Sequence, residues 1–406
     1  MTGLCIMLVA AEPSGDMLGG ALIQSLRERL GPDVRFVGVG GERMRAAGLT
    51  SLFDITDLSI LGWIEGLKAY GRVIKRVNQT VALAGREKPD AVILVDSWGF
   101  TMRVAQRLRK RDPDLLLIKY VGPQVWASRP GRARILAETF DHLLSILDFD
   151  APFFEREGLP VTKVGNPNLR LSFAAAGPER IRNRIGADSE DQILLVLPGS
   201  RLSEVTRLMP PFGEAVALLK QSRPRLQVVV AVAPSVAQAV RAQAALWRFQ
   251  PHLIEGEGPR LDAMKAATLA LACSGTVTTE LALAGCPMVV AYKLGQLSYW
   301  LIKSMIKTPY ITLLNIAAGQ AVAPELIQDQ CTGPNLAVAL GQRLDNRRER
   351  ERQIADQNAA LKRMGPRDGP DPSERAADAV MKLLRAHGLW KAKRSKKKGA
   401  PATGTP

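Results

Sequence analysis

Asp96 closes the apolar run AVILV and is followed by Trp98 and Phe100, so the chain delivers one carboxylate to what reads as the end of a strand. There it can take a proton as a general base, or simply cap the next helix. Earlier, Glu12-Pro13-Ser14-Gly15-Asp16 follows the apolar start of the chain and leads into Gly19-Gly20. A glycine-bearing turn from strand to helix lets backbone N–H groups face a ligand; Ser14 or Asp16 can equally serve only as the helix cap. The loop YVGPQVWASRPGR (120–132) packs Trp126, Arg129 and Arg132 together. Its arginines can pair with a phosphate or remain surface charges.

Two turns in the second half have related chemistry. Gly199-Ser200-Arg201 follows LLVLP, and Ser274-Gly275-Thr276 follows another apolar run and opens a helix-like segment. Hydroxyl and N–H donors at the positive end of a helix suit a pyrophosphate. Glu280, one turn further in, can accept hydrogen bonds from ribose hydroxyls. The chain contains neither G-x-G-x-x-G nor G-x-x-x-x-G-K-[ST], so dinucleotide and P-loop readings lose their main support. Four cysteines without CxxC spacing and only three histidines argue against a zinc site. No cofactor is expected, and the cysteines read as reduced core thiols.

Strands must carry these turns. Apolar runs at 4–11, 34–38, 91–95, 115–121, 143–147 and 161–164 alternate with helix-period segments. After the polar stretch LSFAAAGPERIRNRIGADSEDQ, a second set at 192–197, 226–232, 269–273 and 288–292 alternates with helices near 203–222, 235–247, 259–267 and 276–284. That pattern predicts an α/β protein of two doubly wound, Rossmann-like domains facing a cleft. The expected boundaries are 1–175, 186–345, C-terminal helices over 346–390 able to pack back on the first domain, and a basic, disordered tail at 391–406.

The 406 residues carry a formal charge of +16, and six of the eight residues 391–398 are basic. The remaining excess favours an anionic partner. The start of the chain reads as a first strand and not a signal peptide, and no run of 18 apolar residues spans a bilayer. The stretches 61–77 and 297–311 interleave aliphatic and aromatic residues with Lys and Arg. Each suits a helix pressed into membrane headgroups, or an ordinary amphipathic helix packed on a sheet.

Taken in chain order, these turns resemble the lipid A disaccharide synthase family over about residues 4–330. AAEPSGDMLGG resembles the family's opening turn and GVGGERMRAAGL its next glycine-rich segment; YVGPQVWASRPGRARI is similar to its Tyr-Val-x-Pro-x-Val-Trp-Ala-Trp-Arg stretch. LPGSRLSEV, SGTVTTELALAGCPMVVAYK and LLNIAAGQAVAPELIQ look like its later motifs. The resemblance implies a GT-B fold and an inverting glycosyltransferase in which Asp96 is the base. By the same resemblance Glu12, Ser14, Gly15, Asp16, Trp126 and Arg129 lie on the acceptor side. The UDP-sugar would then meet Gly199, Ser200, Arg201, Ser274, Gly275, Thr276, Glu280, Asn315, Glu325 and Gln328.

The implied donor is UDP-2,3-diacylglucosamine and the implied acceptor is 2,3-diacylglucosamine 1-phosphate (lipid X), at the cytoplasmic face of the inner membrane. Neither nucleic acid nor metal is expected, and a homodimer is left open. The chain departs from the family pattern where Trp98-Gly99 replaces Pro-Asp, Ser128 replaces Trp and Asn166 replaces His. All three changes fall on the acceptor side. The alternatives are therefore a paralogue or other GT-B UDP-sugar enzyme with a different acceptor, or a non-enzymatic binder of anionic membrane or nucleic acid.

Overall fold

The computed structural model describes residues 3–55, 63–295 and 308–390, with the backbone alone over 63–70. Among these residues two parallel sheets form. The first contains β1 (Cys5–Ala10), β2 (Arg35–Val39), β3 (Thr50–Ser51), β4 (Ala91–Val95), β5 (Leu116–Tyr120), β6 (His142–Ser145) and β7 (Val161–Lys163). The second contains β8 (Ile193–Leu197), β9 (Gln227–Val232), β10 (His252–Glu255), β11 (Leu269–Cys273), β12 (Met288–Tyr292) and β13 (Glu325–Ile327).

Strand order is β3-β2-β1-β4-β5-β6-β7 in one sheet and β10-β9-β8-β11-β12-β13 in the other. Both sheets therefore reverse their winding direction once, between β1 and β4 and between β8 and β11. Helices that follow strands on either side of such a switch point lie on opposite faces, which leaves a crevice at the carboxyl edge. The four switch-point strands are buried at every position, as expected when helices cover both faces of a parallel sheet. Their registers pair Ala10 with Val95 and Leu197 with Ala272, so the turns that follow emerge side by side.

The strands β3, β10 and β13 were not evident in the sequence pattern. They span two to four residues at or next to sheet edges, too short to show periodicity. The chain finally crosses back. Helix Arg347–Met364 lies against the second sheet, where Gln353 Nε2 donates to the Met288 carbonyl at 2.7 Å. Helix Pro372–Ala386 then packs on helix Pro13–Leu30, joined by Ser25–Ser373 at 3.0 Å and Arg29–Asp378 at 2.7 Å. Its Ala376, Ala377 and Val380 belong to the same apolar core as Ile6, Leu8 and Leu22.

All four cysteines are buried and unpaired. Among the described residues no helix is long and apolar enough to cross a membrane. Of the two basic, apolar stretches, 61–77 runs into helix Trp63–Glu87, with residues 61–62 and the side chains of 63–70 outside the described part. Residues 297–307 and the tail 391–406 also lie outside it.

Candidate functional site

At the carboxyl edge of the second sheet, the turns after β8 and β11 open a cavity of about 670 Å³ lined by Gly199, Ser200, Arg201, Ser274, Gly275, Thr276 and Glu280, among others. The first turn is built around Glu204, whose side chain is only 8 % exposed. Its Oε2 accepts hydrogen bonds from the Ser200 and Arg201 amides at 3.1 and 3.2 Å, and its Oε1 from Arg201 Nη1 at 2.8 Å. Gly199 has φ +111°, and a Cβ there would stand 2.4 Å from Glu204 Oε2. A side chain at 199 is excluded by the carboxylate that shapes the turn. The second turn starts helix Thr276–Ala284, whose N-cap residue, Gly275, has no side chain to offer the backbone N–H groups. Glu280 reaches the cavity wall paired with Arg260.

A second cavity, of about 500 Å³, opens at the carboxyl edge of the first sheet. Ser14, Asp96, Trp98, Lys119, Asp150 and Asn166 line it. Ser14 Oγ donates to Asp96 Oδ2 at 3.2 Å. Asp96 and Ser97 both have left-handed backbone, φ +47° and +40°, a conformation that is sterically costly for residues with a Cβ. Lys119, in the middle of β5, is 2 % exposed. Its Nζ donates to the Asp96 carbonyl and to Thr101 Oγ1, the latter at 2.9 Å. Burial pushes the Lys119 ammonium down to about 7, against the charges of Asp96 and Glu12, which favour protonation. Burial pushes Asp150 up to about 7, although Ser145 Oγ donates to it at 2.5 Å.

Between the two lies a cavity of about 550 Å³, with Trp126, Arg129 and Arg132 on one side and Ser274, Gly275, Thr276 and Thr312 on the other. The Trp126 ring meets Phe149 edge-on at 5.4 Å. The Arg132 guanidinium lies over Trp98 at 4.6 Å; burial, and then the Arg129 charge, lowers its proton affinity. Thr276 is in the wall of all three cavities.

The structure thus brings together Ser14 and Asp96 on one side, Trp126 and Arg129 in the middle, and on the other the seven residues expected to meet the UDP-sugar. It places the remaining sequence-selected residues elsewhere. Asp16 is buried, and its carboxylate accepts from the amides of Gly41, Arg43 and Met44 at 2.7 to 3.1 Å. It caps helix Glu42–Ala46 and does not face the cavity. Gly15 packs beneath the turn, close to the Val95 carbonyl, and Glu12 is the exposed N-cap of the first helix without a capping side-chain bond.

Asn315, Glu325 and Gln328 are also spent on backbone. Asn315 is fully buried, accepts from the Val322 and Ala323 amides, and donates to the Ala323 carbonyl and to Glu325. Glu325 also accepts from the Ile311 and Thr312 amides. Gln328 bonds both backbone groups of Leu294. Asn315 and Glu325 hold the segment that carries Thr312 and Leu313 against the middle cavity, while Gln328 holds the chain at Leu294 after β12.

A family profile described as lipid-A-disaccharide synthetase matches residues 6–371. A lipid-A-disaccharide synthase of Rhodospirillum centenum is 43 % identical over 384 residues, covering 95 % of this chain and 96 % of the relative. Another, of Paramagnetospirillum magneticum, is 41 % identical over 384 residues, covering 94 % and 98 %. The chain belongs to the lipid-A-disaccharide synthetase family. It is a glycosyltransferase, and the family membership agrees with the resemblance read from its turns. Among solved structures, a putative UDP-N-acetylglucosamine 2-epimerase of Listeria monocytogenes aligns with TM-score 0.61 at 14 % identity, covering 96 % of this chain and 97 % of that one. MurG of Acinetobacter baumannii aligns with TM-score 0.57 at 16 % identity, covering 93 % and 99 %. These likenesses, with the two parallel sheets, establish the GT-B fold of this family member.

Sequence reasoning missed Lys119, Asp150, Glu204 and Arg260 as members of these walls. The signal for Lys119 was a single charge inside the apolar run LLLIKYV. For Glu204 it was the spacing of an acid three residues past Arg201, a helix-start pattern. Asp150 and Arg260 had no local signal.

Proposed function

We propose that the protein transfers 2,3-diacylglucosamine from UDP-2,3-diacylglucosamine to the 6-hydroxyl of 2,3-diacylglucosamine 1-phosphate, with inversion at the anomeric carbon and release of UDP. The observation that carries this reading is the continuity of the three cavities through Thr276. A diphosphate at the Ser274–Thr276 turn sits next to the space into which Asp96 faces. In this reading UDP occupies the larger cavity, with Arg201 and the N–H groups of the two turns meeting the charge that grows on the leaving diphosphate. Arg129 and Arg132, across the middle cavity, supply further positive charge. Asp96 takes the proton of the acceptor hydroxyl as that oxygen attacks.

The acylated substrates require a lipid source, and the basic, apolar stretches 61–77 and 297–311 are the proposed contact with the cytoplasmic face of the inner membrane. The test is a radiolabelled assay with both acylated substrates and full-length protein. Disaccharide 1-phosphate should form in the wild type, and Asp96→Asn should lose turnover while binding UDP unchanged. Normal turnover by Asp96→Asn removes it as the base. A second reading rests on the acceptor-side changes at Trp98, Gly99, Ser128 and Asn166, which favour a different acceptor. UDP binding without disaccharide formation by the wild type would select it.

A further inference from the structure

We propose that Lys119 is a positioning residue for the transfer reaction: its ammonium clamps the left-handed Asp96–Ser97 turn from below and so aims the Asp96 carboxylate into the acceptor-side cavity. The proposal rests on the reading of Asp96 as the base. β5 is otherwise apolar, LLI before the lysine and Tyr after it, and every position is buried. An apolar side chain at 119 would fill the same space without burying a charge, which is costly inside a sheet covered on both faces. The charge is retained directly beneath the turn that carries the base.

The geometry gives that charge a task. The Asp96 amide completes the sheet ladder by donating to the Tyr120 carbonyl at 2.8 Å. Past that bond the backbone leaves the strand conformation for two consecutive residues of positive φ, which neither Asp nor Ser adopts without help from its surroundings. The Asp96 carbonyl receives Lys119 Nζ, and Thr101 Oγ1 ties the same turn by donating toward the Asp96 or Ser97 carbonyl at 2.8 or 2.7 Å. Thr101 Oγ1 in turn accepts from Lys119 Nζ at 2.9 Å. Lysine, threonine and the two carbonyls make one closed network, with Thr101 and Lys119 both buried.

An ammonium has three N–H donors. Two are spent on this network, and Lys119 also lines the cavity. The charged groups around it are Asp96 and Glu12, which favour its protonated form, with Asp150 and Arg132 on the same cavity wall. Reduced proton affinity from burial places its titration where a rate profile can detect it.

The experiment compares Lys119→Met, which keeps the length and flexibility of the side chain, with the wild type and with Asp96→Asn, all as full-length protein. The readouts are kcat and KM for both substrates across pH 6 to 9, with UDP affinity measured alongside. Misplacing a reacting group by about an ångström costs on the order of 100-fold in rate. Lys119→Met should therefore lower kcat by roughly that factor, leave UDP affinity unchanged, and lack the alkaline fall in rate that the proposal expects of the wild type from near pH 7. A kcat within threefold of wild type, or a pH profile that superimposes on it, overturns the proposal.

If Lys119→Met fails to fold, judged by circular dichroism, Thr101→Val takes its place. It removes the hydroxyl from the network, and unchanged kcat there overturns the proposal. An inactive Asp96→Asn beside a fully active Lys119→Met leaves the base reading standing and this proposal refuted. An active Asp96→Asn refutes the base reading, and the positioning role falls with it.

Discussion

Replacing Gly199 by alanine perturbs the donor turn in a way whose size follows from the geometry. At φ +111° a residue with a Cβ is strained by about 1–2 kcal/mol. The new methyl would also lie 2.4 Å from Glu204 Oε2, so that oxygen must move. It cannot move freely, because it accepts the Ser200 and Arg201 amides while Oε1 holds the Arg201 guanidinium. Loosening two such bonds beside open solvent costs about 1 kcal/mol each. The total is roughly 3–4 kcal/mol, or a fall of about 6–15 °C in the melting temperature of a unit this size. UDP affinity should drop on the order of 10- to 100-fold, since each tenfold is about 1.4 kcal/mol and the displaced amides are the ones proposed to meet the nucleotide. Calorimetric titration with UDP and thermal melts of Gly199→Ala, Glu204→Ala and the double variant measure all of this. The carboxylate clash predicts a coupling of about 2 kcal/mol between the two sites. Additive effects, or a Gly199→Ala protein with wild-type melting and UDP affinity, refute the account.

Asp16→Ala removes one buried carboxylate from three backbone amides; stability should fall by about 2–4 kcal/mol with UDP affinity unchanged, as read by melts and titration. Arg201→Ala should do the opposite: its side chain is 75 % exposed, so melting should change little while UDP binding weakens about tenfold. Asp150 has a folded-state value near 7, raised above that of an unfolded carboxylate. The native state then holds the extra proton between about pH 4 and 7, so stability falls as pH rises through that window and the penalty persists above it. Asp150→Asn should melt higher than wild type at pH 8 and show a smaller drop in melting temperature from pH 5 to pH 8.

The parts of this fold that the sequence exposes are those whose physics is local. Switch-point strands such as AVILV and LLVL read as unbroken apolar runs because both faces of a parallel sheet are covered, and the turns after them stand out through glycine and hydroxyl residues. The edge strands β3, β10 and β13 are too short to be seen that way. The roles of the polar residues were harder to read. Asp16, Asn315 and Glu325 sit in family motifs beside turns proposed to face a ligand, yet their side chains satisfy backbone groups in other segments. Nothing in a linear pattern tells an amide that faces a nucleotide from one that faces a loop. Lys119 was invisible for the reverse reason: a lone lysine in a strand reads as an edge or surface position until the helices that bury it are in place.

The two halves of the cleft differ in kind. On the donor side the wall presents backbone N–H groups, hydroxyls and Arg201, whose proton affinity is raised further by Glu204, and burial pushes the Cys273 thiol up to about 12. Groups that keep one charge state across neutral pH suit the proposed role of holding a diphosphate and receiving its growing charge. On the acceptor side Lys119 and Asp150 are both driven toward 7 by burial, from opposite directions, around the turn that carries Asp96. Proton transfer from an attacking hydroxyl needs groups whose charge can respond at that pH. Thr276 is in the wall of every cavity, and the departures at Trp98, Ser128 and Asn166 line the cavity on the far side of it from the Gly199–Arg201 turn, so in the proposed reading they bear on the acceptor before the nucleotide.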